Sequence, residues 1–227
     1  MTTYLKDDFN IDFSLFLSKI SMINSKISSM IERFSKSLEE VEEKNTEEVE
    51  ILEDLGTGEM PQDLANVLYD LSENLKNQVF FNSVSISIYS FLEFSLIEYC
   101  RLIDNYLIEG KPFKDYKNYG LEKAKDYLKD NFNIDFATVP NWDELSKFQK
   151  VRNLIVHNDA NIYKDYDKTL KEQPDYPVLS SMTDSIDITS SGTFFIKSFD
   201  YINTKLSQAV EMIDYIITST KDIVKKK

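Results

Sequence analysis

VFFNSVSISIYSFLEFSLI, residues 79–97, is a stretch apolar enough to raise the question of membrane insertion. It contains Asn82, several serines and Glu93, however, and such polar groups are costly in lipid. Burial within protein is the better interpretation, and no membrane partner is expected. The apolar positions of this predicted core helix are Leu64, Val67, Leu68, Leu71, Leu75, Phe80, Val84, Ile88, Phe91, Leu92, Leu96 and Ile103.

Glu93 is a carboxylate in the middle of this apolar stretch. Such a group usually needs a charged or hydrogen-bonding partner when it is taken out of water. The sequence leaves two interpretations of Glu93 open, a structural ion pair or a supporting role in a functional site.

The composition favours an all-α fold. The 227 residues include five glycines and five prolines, too few for the turns of a sandwich or barrel. Residues 1–60 are predicted to form an acidic helical arm that ends near Gly56 and Pro61, and its coiled-coil-like seam needs a partner. The seam consists of Phe16, Ile20, Ile23, Ile27, Met30, Phe34, Leu38 and Val41.

Residues 61–227 are predicted to form a second part, a helical domain with a small β-hairpin near residues 184–197. Asn141 stands three residues before Glu144, the spacing of a capping box, so a helix should begin at Trp142. Its core stripe would be Leu145, Phe148, Val151 and Ile155. Ser198 is expected to cap a final helix.

Charge and cysteine content narrow the class of protein. The net charge of −13 argues against a general nucleic-acid coat, but residues 1–63 carry −9 of it while residues 111–152 carry +2. The middle of the chain is therefore open to an anionic ligand.

Cys100 is the sole cysteine and the N-terminus lacks a secretory pattern, so we expect a cytoplasmic protein without metal or other cofactor.

Arg152, Asn153 and His157, the only histidine, lie near the end of the helix that starts at Trp142. At about 100° per residue, Asn153 and His157 point about 40° apart, whereas Arg152 and His157 diverge by about 140°. One intact helix cannot make all three converge. Convergence needs either a loosened helix end or a second copy of the helix across a two-fold axis.

The Arg-Asn-x-x-x-His string, preceded by a long helix of the Ser83-to-Leu102 type, resembles the HEPN superfamily and its Arg-x(four to six)-His ribonuclease motif. In helix order the similarity covers about residues 64–220, although only the short motif is specific. The resemblance implies a helical bundle that acts as a dimeric, metal-independent endoribonuclease in a toxin–antitoxin or phage-defence setting. It also implies that Arg152 and His157 are catalytic with Asn153 assisting, and that an antitoxin or defence protein is a further partner.

These residue types suit RNA cleavage by the ribose 2′-hydroxyl, because histidine can transfer protons near neutral pH and arginine can hold phosphate oxygens. Asn158 is a further supporting candidate, and Lys150, Tyr163 and Lys164 are the candidates for RNA contact. Tyr166 and Tyr176, with Lys168 and Lys171, belong to the same tyrosine- and lysine-bearing segment. Two other functions stay open: a non-catalytic helical interaction module, and a coiled-coil scaffold that uses the N-terminal seam.

Overall fold

A computed structural model describes the backbone of residues 2–55, 62–107 and 109–226 and the side chains of residues 8–37, 77–107 and 109–221. Within those ranges the protein is mostly helical, with one two-stranded hairpin, as the sequence predicts. The helices are α1 (Thr2–Leu55), α2 (Gln62–Asp104), α3 (Gly120–Phe132), α4 (Trp142–Asn158), α5 (Tyr176–Leu179) and α6 (Phe199–Lys226). Strands β1 (Ile186–Ile188) and β2 (Phe194–Ile196) form the hairpin, and short 3-10 turns lie at Phe113–Asp115 and Leu170–Glu172.

Helix α2 is the centre of the bundle, because α1, α3, α4 and α6 all pack against it. By length and composition its segment Asn77–Asp104 would be able to cross a membrane, a property that buried core helices share. In this fold Val84, Ile88 and Leu92 are fully buried among the neighbouring helices. The predicted core helix is therefore confirmed for its described part, from Phe80 to Ile103. The side chains of the earlier predicted core positions lie outside the described residues, namely Leu64, Val67, Leu68, Leu71 and Leu75.

The N-terminal seam finds its partner within the same chain. Phe16 and Ile27 are buried in the hydrophobic core, and Ile20 and Ile23 pack against it. Phe34 stacks on Phe80 of α2 with 3.7 Å between ring centroids. Met30 is the exception among the described seam residues, because it is 39% exposed. The buried part of the seam is covered by its own chain and therefore provides no argument for a dimer.

The ends of this arm fall partly outside the described residues. The side chains of Leu38 and Val41 and the turn predicted from Gly56 to Pro61 lie there. The division of the chain at residue 60 into two folding units stays a prediction.

Helix α4 begins at Trp142 as predicted, but the capping box at its start is wrong. Asn141 has a left-handed backbone, with φ of 61°, and its side chain caps nothing. It donates a hydrogen bond to Glu211 of α6 at 2.8 Å instead. Glu144 is held at its own carboxylate by Lys147 and Lys205. Asn141 and Glu144 thus both contact α6 and do not cap α4. In the core stripe of α4, Leu154 is buried and Ile155 is only partly buried.

The hairpin and the last helix follow the sequence pattern. Ile186 pairs with Ile196, and both are buried. Gly192 makes the turn with φ of 81°, a conformation that glycine adopts without strain. The Ser198 hydroxyl accepts a hydrogen bond from the backbone N–H of Tyr201, which confirms the predicted cap of α6.

The packing of α1 predicts different costs for two substitutions on its opposite faces. Phe13 is 4% exposed and Leu15 is 64% exposed. We expect Phe13→Ala to lower the free energy of unfolding by about 3–5 kcal/mol, because it leaves a cavity in the core. Leu15→Ala should change it by less than about 0.5 kcal/mol. Chemical denaturation measures both, and similar losses would contradict an intramolecular position for this face of α1.

Candidate active site on helix α4

Helix α4 carries Arg152 at the edge of its core stripe, and Asn153 and His157 lie further round on its polar flank. Val151 and Leu154 are buried beneath this flank, whereas Arg152 and Asn153 are half-buried and His157 is exposed. This order of exposure matches the positions that the helical pattern predicts.

The Arg152 guanidinium lies over an aromatic ring of the central helix. Its Cζ atom is 5.4 Å from the ring centroid of Tyr89, a distance at which a cation is attracted by the ring face. Nη1 donates a hydrogen bond of 3.0 Å to Oδ1 of Asn153, so these two predicted residues are in contact. Nε is buried and has no partner among the described residues. The Tyr89 ring and the Asn153 amide therefore hold the guanidinium in place, and one of its N–H donors forms a hydrogen bond within the described residues.

Tyr89 is the residue of this cluster that sequence reasoning missed. It is 2% exposed, and its hydroxyl lacks a hydrogen-bond partner within the described residues. Burial raises the pKa of this hydroxyl, and the neighbouring Glu93 carboxylate raises it further, while Arg152 acts in the opposite direction. Tyr89 precedes Glu93 by one helical turn, and that spacing was the available signal.

Glu93 lies against the start of α3. A Cβ atom built on Gly120 would overlap Oε1 of Glu93, so the carboxylate touches the glycine backbone. In the described part of the chain Glu93 forms no ion pair within 4.0 Å. The supporting role of Glu93 in a functional site stays a prediction. The carboxylate does lie near the positive end of a helix dipole, which offsets part of its charge.

The end of α4 is tightly closed. The helix continues through Asn158, and the backbone N–H groups of Asp159 and Ala160 both donate to the carbonyl of Leu154. Asp159 and Ala160 have φ values of 50° and 54°, the left-handed arrangement that ends helices. The interpretation of a loosened helix end is thus wrong. Within one chain, no described hydrogen bond joins His157 to Arg152 or Asn153.

Asn158 holds the segment that follows the helix. Its Nδ2 group donates to the carbonyls of Asn161 and Tyr163, at 2.6 and 2.9 Å. Both amide hydrogens are therefore used within the protein, and a direct role for Asn158 at a ligand stays a prediction.

The three candidates for RNA contact differ in their surroundings. Lys150 is exposed on α4. Lys164 forms an ion pair of 2.5 Å with Asp175, so its charge is already compensated. Tyr163 is half-buried beside the hairpin. The structure thus brings Tyr163 near the end of α4 and commits Lys164 to an internal contact.

A second polar cluster, missed by the sequence reasoning, lies at the other end of α4. Lys205 of α6 is 3% exposed and donates to Glu144 at 3.1 Å and to Gln208 at 3.0 Å. Hydrogen bonds from Lys147 and then from Lys205 hold the pKa of Glu144 below its usual range. A buried lysine with these partners fixes α4 against α6. Among the described residues, no group of three His, Cys, Asp or Glu side chains is arranged to hold a metal.

Comparison with protein-family models, with curated proteins and with solved structures finds no match to this chain.

The contact between Gly120 and Glu93 gives a stability prediction. Gly120 has φ of 57°, which costs an alanine about 1–2 kcal/mol, and the new methyl group would also displace Glu93. Gly120→Ala should therefore destabilise the wild type more than it destabilises a Glu93→Ala background. Urea denaturation of the four proteins measures the difference. Equal losses in both backgrounds would show that the carboxylate does not rest on Gly120.

Proposed function

We propose that the chain is a metal-independent endoribonuclease that cuts RNA through attack of the ribose 2′-hydroxyl. His157 transfers protons to or from the reacting oxygens, and Arg152 stabilises the charge that develops on the phosphate. Asn153 assists by orienting the guanidinium. The toxin or phage-defence setting, the cytoplasmic location and an antitoxin or defence partner are parts of the same proposal and follow from the resemblance to HEPN domains.

The observation that supports this proposal is that the Arg152 guanidinium is held in place by its neighbours but makes few hydrogen bonds with them. A guanidinium has five N–H donors, and one of them makes a hydrogen bond within the described residues. The ring of Tyr89 and the amide of Asn153 hold the planar group in place. A fixed cation whose Nη donors are mostly unbonded suits phosphate oxygens, because within the described residues only Asn153 competes for them.

A complete site requires two chains. Arg152 and His157 diverge on an uninterrupted helix, and one chain supplies a single histidine for two proton transfers. A two-fold dimer with facing α4 helices would set each flank opposite its copy and provide both the acid and the base. Exposure of His157 and of Val156, at 43%, supports this face as the contact surface.

A second candidate function is a non-catalytic helical interaction module. The outer face of α1 exposes Ile11, Leu15 and Met22 by 60%, 64% and 52%. Their spacing of four and seven residues places them on one side of the helix. An apolar row of this kind favours contact with another protein.

The first functional test uses variants of α4. We expect His157→Ala to abolish cleavage of single-stranded RNA and Arg152→Ala to reduce it by at least about 100-fold, the usual worth of a proton-transfer or charge-stabilising group. Tyr215→Ala, at an exposed position of α6 that takes no part in the proposed site, is the control and should cleave normally. Initial rates on a labelled oligonucleotide measure the three effects.

Circular dichroism and sedimentation complete that test. Exposed His157 should contribute little to stability, so its variant should keep the fold and the dimer. Wild-type cleavage by both variants would assign the activity elsewhere. An active wild type that stays monomeric at micromolar concentration would refute the two-chain site.

The second functional test concerns the products. Attack by the 2′-hydroxyl leaves a 2′,3′-cyclic phosphate and a 5′-hydroxyl, so a 2′-deoxy substitution at the cleaved position should block cutting. Activity should survive EDTA, because Arg152 and His157 supply the charge and the protons. Mass spectrometry identifies the ends. Inhibition by the chelator, cleavage of DNA or 5′-phosphate ends would point to a metal-activated water instead.

A further inference from the structure

The segment after α4 is held in one conformation by a buried amide. Gln173 is 1% exposed, and its Oε1 atom accepts hydrogen bonds from the backbone N–H groups of Lys164 and Asp165. Its Nε2 atom donates to the carbonyls of Asp165 and Lys168. Asn158 holds the same segment from its other side through the Tyr163 carbonyl. Residues 163–168 are therefore ordered before any ligand binds.

Two tyrosines of this segment form a stacked pair. The rings of Tyr163 and Tyr166 are parallel within 5°, and their centroids are 5.9 Å apart. Tyr163 is backed by the hairpin turn, since a Cβ atom on Gly192 would lie 2.5 Å from its Cδ2 atom. Tyr166 is 87% exposed. One ring is thus fixed against the protein, and the ring stacked on it offers a free aromatic surface.

The lysines around this pair are largely neutralised. Lys164 pairs with Asp175, and Lys168 pairs with Asp165 at 3.0 Å. General attraction for a phosphate backbone is consequently weak here. The interaction that this segment can still make with a nucleic acid is aromatic stacking. Every nucleobase can stack, because each has a π-face.

We infer that the stacked pair Tyr163–Tyr166 binds one unpaired nucleobase of a single-stranded RNA beside the end of α4. The inference rests on the proposed function for its location: Asn158, which follows His157 in the sequence, donates a hydrogen bond to the Tyr163 carbonyl of this segment. A base within a duplex has both faces covered by its neighbours, so it cannot stack on Tyr166. The substrate class is therefore RNA with a single-stranded or looped-out base near the cleaved bond.

Binding to a non-cleavable probe tests the stacked pair. The probe is a fluorescein-labelled 2′-O-methyl RNA of about twelve nucleotides, long enough for one single-strand site. Tyr166→Ala should raise the Kd at least about five-fold, the lower end of what loss of one stacked base costs. Tyr166→Phe keeps the ring and should stay within about two-fold of wild type.

Tyr119→Ala is the matched control, because Tyr119 is 90% exposed and lies on another loop, just before α3. It should leave the Kd unchanged. An unchanged Kd for Tyr166→Ala, an equal loss in Tyr166→Phe, or an equal loss in Tyr119→Ala would each overturn the stacking role. Circular dichroism verifies that the variants are folded, as their exposure predicts.

A series of probes that each lack one base gives a sharper answer. In the wild type, removal of the base at one position should raise the Kd about as much as Tyr166→Ala does. In Tyr166→Ala, removal of that same base should have no further effect, since its partner ring is gone. Equal effects of base removal in the two proteins would overturn the inference.

Cleavage of unmodified RNA by the same proteins separates this inference from the proposed function. A wild type that cleaves RNA but shows no stacking pattern retains the function and overturns the nucleobase site. A wild type that shows the stacking pattern but does not cleave keeps the site and refutes the nuclease. Absence of binding to every probe would overturn the nucleobase site.

Discussion

Burial of the apolar face of helix α2 is the constraint on which the rest of the fold depends. Four other helices pack around it, and Val84, Ile88 and Leu92 lie wholly out of water. An apolar helix of this length is stable in water only if other helices cover it. Each large apolar side chain that is buried in this way stabilises the fold by about 1.5–3 kcal/mol. The same burial places Tyr89 under α4, so the core packing itself determines where the Arg152 guanidinium lies.

The candidate site shows how a core contact can prepare a polar group for a ligand. The guanidinium of Arg152 is attracted to the Tyr89 ring, which accepts no conventional hydrogen bond from it. The attraction therefore orients the cation without using its N–H donors. A carboxylate in place of the ring would have bound those donors and lowered their affinity for phosphate. Glu93, one turn further along α2, is near enough to affect Tyr89 electrostatically but forms no ion pair with Arg152 in the described part of the chain.

The sequence was sufficient for features that depend on local periodicity and insufficient for those that depend on distant partners. The helices, the hairpin and the Ser198 cap follow from patterns within a few residues. The role of Asn141 does not, because its partner Glu211 is 70 positions away in the chain. The seam of α1 was recognised correctly as needing a partner, but periodicity cannot tell whether that partner is the same chain or another. The spacing of Arg152, Asn153 and His157 makes them candidates, whereas the contact of Arg152 with Tyr89 depends on the packing of α2 against α4.

The order of the segment after α4 bears on how the proposed site would work. Loops usually lose conformational freedom when they bind, at a cost of about 1–2 kcal/mol for each backbone residue that becomes fixed. Here Gln173 and Asn158 supply the hydrogen bonds that fix residues 163–168 in the free protein. The loss of backbone entropy then occurs during folding and not during binding. Nearly all of the free energy of stacking one base on Tyr166 can therefore contribute to the affinity. A protein with a net charge of −13 cannot rely on phosphate attraction alone, and an aromatic surface on the segment that follows α4 is a physically consistent alternative.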